Sequence, residues 1–127
     1  MKFPNDYRYT KDHEWIKDDG NDQWTIGITH YALEQLGDIV HLELPNVGDS
    51  YETGDSFGTI ESTKTVSDLY LPLAGSVSHV NEKIIDDVEK LSQNPYTDGW
   101  LIKVNSRSHP DEGLLSAEEY SRYLEED

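Results

Sequence analysis

Apolar side chains recur at every second position over most of the first hundred residues, the period of strands with one buried face. Glu14-Trp15-Ile16-Lys17 runs into the cluster Asp18-Asp19-Gly20-Asn21-Asp22, and Trp24-Thr25-Ile26-Gly27-Ile28 follows. Two such runs joined by Gly, Asn and Asp predict a β-hairpin. The period then changes. Thr29 is placed to cap a short helix from His30 to Leu36, with Ala32, Leu33 and Leu36 on one face and Gly37 as the stop. Alternation returns from Ile39 to Leu44, where Val40, Leu42 and Leu44 point to one side and His41 and Glu43 to the other. Pro45 and Gly48-Asp49 end that strand.

Short strands are predicted at Ser56 to Ile60, Asp68 to Leu71 and Ser76 to Val80. The stretches from Val47 to Ile60 and from Pro72 to Asn81 resemble each other, each with a turn glycine before a short apolar run. Such a repeat would arise from internal two-fold symmetry with Lys64 near the axis. Between Asn81 and Leu91 the spacing of Ile84, Ile85, Val88 and Leu91 is helical, but the flanks read as loop, so that segment stays undecided. Asn94 to Gly99 is a turn. Trp100 to Val104 is a strand with Trp100, Ile102 and Val104 inward. Residues 109–113 read as a loop or short helical turn. Ser116 and Glu119 form a capping box for a last helix, Leu115 and Tyr120 a staple, and Tyr120, Tyr123 and Leu124 its inner stripe. The expectation is one domain over 1–127, mainly β, with a helical appendage at about 110–126.

At 127 residues a single core is feasible without staples. The absence of cysteine removes both a disulfide framework and protein thiol chemistry. No apolar run reaches the length of a membrane span. No basic, apolar signal segment opens the chain, and the expectation is a cytoplasmic protein. A formal charge of −16 argues against nucleic acid and anionic lipid as partners and suits proteins with basic docking patches, although acidity also serves solubility alone.

The usual catalytic patterns are missing. His13-Glu14 begins like a zinc-protease motif, but position 17 is Lys, and His30, His41, His79 and His109 do not pair at ligand spacing. Asp18, Asp19 and Asp22 lack the downstream Glu of a calcium loop. No Gly-x-Ser-x-Gly elbow or phosphate loop is present. A binder or carrier fits better than an enzyme. Lys64 stands out: Thr59-Ile60-Glu61-Ser62-Thr63-Lys64-Thr65-Val66-Ser67-Asp68 is a polar tip between two apolar runs, flanked by Gly54, Gly58, Pro72 and Gly75. A lysine at the apex of a tight hairpin is exposed, and its amine is open to acylation by another enzyme.

These residues bring out a resemblance. His13-Glu14-Trp15, Gly27-Ile28-Thr29, Leu36-Gly37-Asp38, Leu44-Pro45 with Gly48, and above all Glu61-Ser62-Thr63-Lys64 followed by Ser67-Asp68 are similar to the H proteins of the glycine cleavage system. Pro72, Gly75, Val77, Asn81, Pro95-Tyr96 and Gly99-Trp100 extend the likeness nearly end to end. It implies a barrel-sandwich hybrid of two small antiparallel sheets with a short internal helix and a C-terminal helix. It implies lipoate on Lys64, attached by a lipoate ligase or transferase. It further implies a monomeric carrier whose arm takes an aminomethyl group from a glycine decarboxylase to an aminomethyltransferase and electrons to a dihydrolipoamide dehydrogenase. Glu14 and Asp68 match family positions near the arm, and Asp12 stands where a small hydroxyl residue is common. Val88, Ser92 and Ser76 depart from the usual Pro, Asn and Glu. Two other readings remain: a lipoyl donor in lipoate relay, and a scaffold whose Lys64 stays bare.

Overall fold

The computed structural model describes residues 3–107 and 114–126, so the turn expected at 109–113 lies outside the described residues. The predicted hairpin forms from β2 (Glu14–Gly20) and β3 (Gln23–Ile28), antiparallel with Trp15 opposite Gly27. Its turn residues Asn21 and Asp22 both have positive φ (56° and 61°). Turns of this hand match strand twist, and Asn and Asp tolerate that region best after glycine. Strands β1 (Arg8–Tyr9), β9 (Ile102–Asn105), β8 (Gly75–Val80) and β5 (Ser50–Tyr51) complete a six-stranded antiparallel sheet in the order β1-β2-β3-β9-β8-β5. A second sheet holds β4 (Ile39–Glu43), β6 (Ser56–Ser62) and β7 (Val66–Tyr70) in the order β4-β6-β7.

The main core is shared by the two sheets and α1 (His30–Leu36), with Ile16, Ile26, Leu42, Ile60, Leu69, Leu101 and Ile102 almost wholly buried. α1 is bounded as predicted. Thr29 Oγ1 accepts from the Ala32 amide at its start, and Gly37 takes φ 84° at its end. The undecided segment forms two one-turn helices, α2 (Glu82–Asp86) and α3 (Glu89–Gln93), which bury Ile84 and Leu91. α4 (Ala117–Glu126) begins at a reciprocal capping box: Glu119 N–H donates to Ser116 Oγ, and Ser116 N–H to Glu119 Oε1. Tyr120 is fully buried in a second, aromatic cluster with Tyr9 and Trp15, against which Leu115, Tyr123 and Leu124 pack.

Strand β2 lies between the two clusters. Ile16 belongs to the main core and Trp15 to the aromatic cluster, so Glu14, Trp15 and Ile16 are consecutive and all buried. Trp15 lies flat across Gly27. A Cβ there would stand 2.3 Å from the indole, which is why that position carries no side chain.

Two inward assignments are corrected. Val40 is 51% exposed, because the β4–β6 register shifts between Ile39 and His41 and the alternation slips by one place. Trp100 is only half-buried and packs on the aromatic cluster, whereas Leu101 and Ile102 are both in the main core.

Candidate functional site

Lys64 occupies the tip between β6 and β7 and is exposed. Ser62 builds the tip. Its amide donates to the Thr65 carbonyl (2.8 Å), while its hydroxyl oxygen accepts from the Lys64 and Thr65 amides (3.1 and 3.2 Å). A single side chain thus satisfies the amides that such a tight turn would otherwise leave unpaired. Thr63 N–H donates to the Asp38 carbonyl (3.0 Å), fastening the tip to the chain that leaves α1. The backbone around Lys64 is therefore held while its side chain stays accessible.

Beside the tip is a cleft of about 230 Å3. One wall is α1, through Tyr31, Ala32, Gln35 and Leu36; the opposite wall is β6–β7, through Ile60 and Ser67 to Leu69; Asp12, His13, Glu14 and Ile28 close the end. Asp12, Glu14 and Asp68, three residues read from the sequence, are thus brought to one cleft whose lining, among the described residues, contains no lysine or arginine. Lys64 is not in the lining; it stands at the end of the same β6–β7 ladder, in which Ile60 pairs with Ser67 and Glu61 with Val66.

The three carboxylates differ. Glu14 is 2% exposed because it faces inward from β2. Oε1 accepts from Thr10 Oγ1 (3.1 Å) and Oε2 from the Tyr70 amide (3.3 Å). Loss of water pushes its pKa from 4.5 up to about 8; the Asp12 charge adds to the rise, and the two hydrogen bonds oppose it. Glu14 is therefore mostly neutral at pH 7 when nothing cationic shares the cleft. Asp12 is exposed at the rim. Asp68 is also exposed, and its Oδ1 accepts from Ser56 Oγ (3.3 Å), so its carboxylate is engaged on the solvent side of β7.

The sequence reading missed Thr10, His13 as a wall, and the Tyr120 hydroxyl behind it. Tyr120 OH lies 2.7 Å from His13 Nδ1 and 2.9 Å from Thr29 Oγ1, joining α4 to the cleft end and to the α1 cap. Tyr120 was legible as buried but not as reaching this far, since nothing local pairs positions 13 and 120.

A lysine held out on a braced hairpin tip, beside a narrow cleft in a small two-sheet β protein, is the arrangement that a carrier of a covalently attached arm would need. The comparisons name the kind. The glycine cleavage H-protein family model matches residues 7–127. The chain is 50% identical to the glycine cleavage system H protein of Rubrobacter xylanophilus, covering 99% of this chain and 98% of that one. It is 46% identical to that of Herpetosiphon aurantiacus, over 98% and 95%. A crystal structure of the H protein from Mycobacterium marinum superposes with a TM-score of 0.88 at 40% identity, covering 97% of this chain and 99% of that one. The chain belongs to the glycine cleavage H-protein family. Members of this family are carriers that hold lipoate on a lysine. The residues here fit that group: an accessible amine on Lys64, and apolar side chains of Ile28, Ala32, Leu36, Ile60 and Leu69 along the cleft beside it. No helix among the described residues is long and apolar enough to cross a membrane.

Proposed function

We propose that Lys64 is the attachment site of the lipoyl arm, and that the protein carries an aminomethyl group between a glycine decarboxylase and an aminomethyltransferase, with a dihydrolipoamide dehydrogenase restoring the arm. Bound lipoate supplies a dithiolane that accepts the one-carbon unit and two electrons. The protein's part is to tether and to shelter. The tip held by Ser62 and Asp38 keeps Lys64 within reach of the cleft, which raises the effective concentration of cargo at each delivery. The carboxyl of Glu14 would pass its proton to the cargo's neutral amine and hold the resulting ammonium as a carboxylate, and the apolar walls keep water from the pair. Asp12 and Asp68, at the rim, favour the ammonium form by their charge.

The observation that carries this reading is the position of Lys64 on the braced tip beside a cleft whose buried acid is Glu14. Peptide mapping of protein from its native cell is expected to find lipoate on Lys64 alone, and none on a Lys64→Arg variant, which keeps the charge but offers no acylable amine. Lipoate on another lysine would overturn the assignment. Lipoylated protein that fails to support a reconstituted glycine cleavage reaction, yet passes its lipoyl group to other carriers, would favour the relay role instead.

A further inference from the structure

Gly37 does two things at the end of α1. Its backbone, at φ 84° and ψ −142°, turns the chain out of the helix in a region that side chains rarely enter. That requirement explains a glycine but says nothing about Lys64. Yet the end of the Lys64 side chain lies over it: a Cβ built on Gly37 would stand 3.4 Å from Lys64 Cε, 3.5 Å from Nζ and 4.0 Å from Cδ. The tip is tied to the same place independently, through the Thr63 amide on the Asp38 carbonyl and the pairing of Ile39 with Ser62. Leu36, the next residue back along α1, lines the cleft.

We propose that Gly37 is a positioning residue for the arm: its bare Cα forms a trough that lays the Lys64 side chain along the end of α1, so that a group attached to Nζ leaves toward Leu36 and the cleft mouth. This rests on reading Lys64 as the attachment site. The distances separate two kinds of substitution. A single methyl would sit at ordinary contact distance from Lys64, whereas atoms beyond Cβ would fill the trough. Gly37→Ala and Gly37→Leu share the backbone strain; only Gly37→Leu displaces the arm.

The first readout is a nuclear Overhauser contact between the Gly37 α protons and the Lys64 ε protons in unmodified wild-type protein. It is expected to be present, and its absence would overturn the proposal. The second compares lipoylated variants carrying the aminomethyl cargo. Water converts the cargo to formaldehyde and ammonium, leaving a thiol. Gly37→Ala is expected to lose cargo within about twofold of the wild-type rate. Gly37→Leu should lose it clearly faster than Gly37→Ala, because a displaced arm no longer keeps the cargo inside the cleft. Equal rates in Gly37→Leu and Gly37→Ala would sink the trough while leaving Lys64 as the attachment site. Peptide mapping that finds no lipoate on Lys64 would sink the attachment reading itself. The proton contact needs no variant, so misfolding of Gly37→Leu does not remove the test.

Discussion

Replacing Glu14 by Gln tests the buried acid directly. In the folded protein the carboxyl faces the core from β2, with Thr10 Oγ1 and the Tyr70 amide as partners, and its pKa rises from 4.5 to about 8. An acid that binds its proton more tightly when folded stabilises the fold fully below 4.5. That contribution is lost progressively as pH rises to about 8, because there the folded state holds a proton that the unfolded chain has released. Each tenfold difference in proton affinity is ~1.4 kcal/mol, so the interval between 4.5 and about 8 sets a ceiling of ~5 kcal/mol. Water entering the open cleft mouth will trim this, and ~2–4 kcal/mol is the working expectation. Glutamine resembles the protonated acid in shape and in having one carbonyl acceptor, and it does not titrate. Urea unfolding followed by tryptophan fluorescence, at pH values from 4 to 9, should therefore show wild type and Glu14→Gln nearly equal at pH 4. The variant should gain on wild type as pH rises, approaching ~1.4 kcal/mol per pH unit near neutrality. A difference that stays flat across this range would show that Glu14 ionises as an ordinary surface acid, and the account of a neutral carboxyl awaiting an amine would fall with it.

Other expectations follow from particular contacts. Lipoylated and bare protein should melt within a few degrees of each other, since Lys64 is exposed and modification at such sites costs within ~0.5 kcal/mol; a larger gap in calorimetry would make the arm part of the core. Gly27→Ala places a methyl 2.3 Å from the Trp15 ring and should cost ~3 kcal/mol in urea unfolding, with loss of near-ultraviolet circular dichroism from the displaced indole. Tyr120→Phe removes the hydroxyl shared by His13 and Thr29 and should cost ~1–3 kcal/mol, with amide exchange speeding up at the start of α1 as well as in α4; exchange confined to α4 would show that the link is not felt at the cleft. Ser116→Ala breaks the capping box and should cost ~1 kcal/mol, read as faster exchange in the first turn of α4 alone.

What could be read from the sequence was what is decided locally. The turn at Asn21 and Asp22, the α1 limits at Thr29 and Gly37 and the Ser116 box are each settled by one or two side chains acting on the nearest backbone. Val40 was misplaced because a register shift in β4 leaves no mark in the residue pattern, and Trp100 because the chain at Leu101 and Ile102 is covered on both sides. Strands β1 and β5, of two residues each, are too short to show any period. The site divides the same way. Lys64 was visible because turn residues frame it. The burial of Glu14 was not: an acid on an alternating strand reads as solvent-facing, and only the arrival of β7, whose Tyr70 amide meets its carboxylate, hides it. Asp68 lines the cleft, but its hydrogen bond with Ser56 belongs to a pairing of β6 and β7 that spacing alone does not reveal.

Strand β2 acts as a partition wall, with the cleft and main core on one side and stacked rings on the other. Sliding it by a single residue would exchange the faces of Glu14 and Trp15. A carboxyl would then lie among Tyr7, Tyr9 and Tyr96, and an indole would plug the cleft. Neither compartment tolerates its neighbour's occupant, so mispaired forms of this hairpin are heavily penalised from both directions at once. Fidelity of strand alignment during folding is thus secured by the same adjacent pair of residues that separates the cleft holding a buried carboxyl from the aromatic cluster.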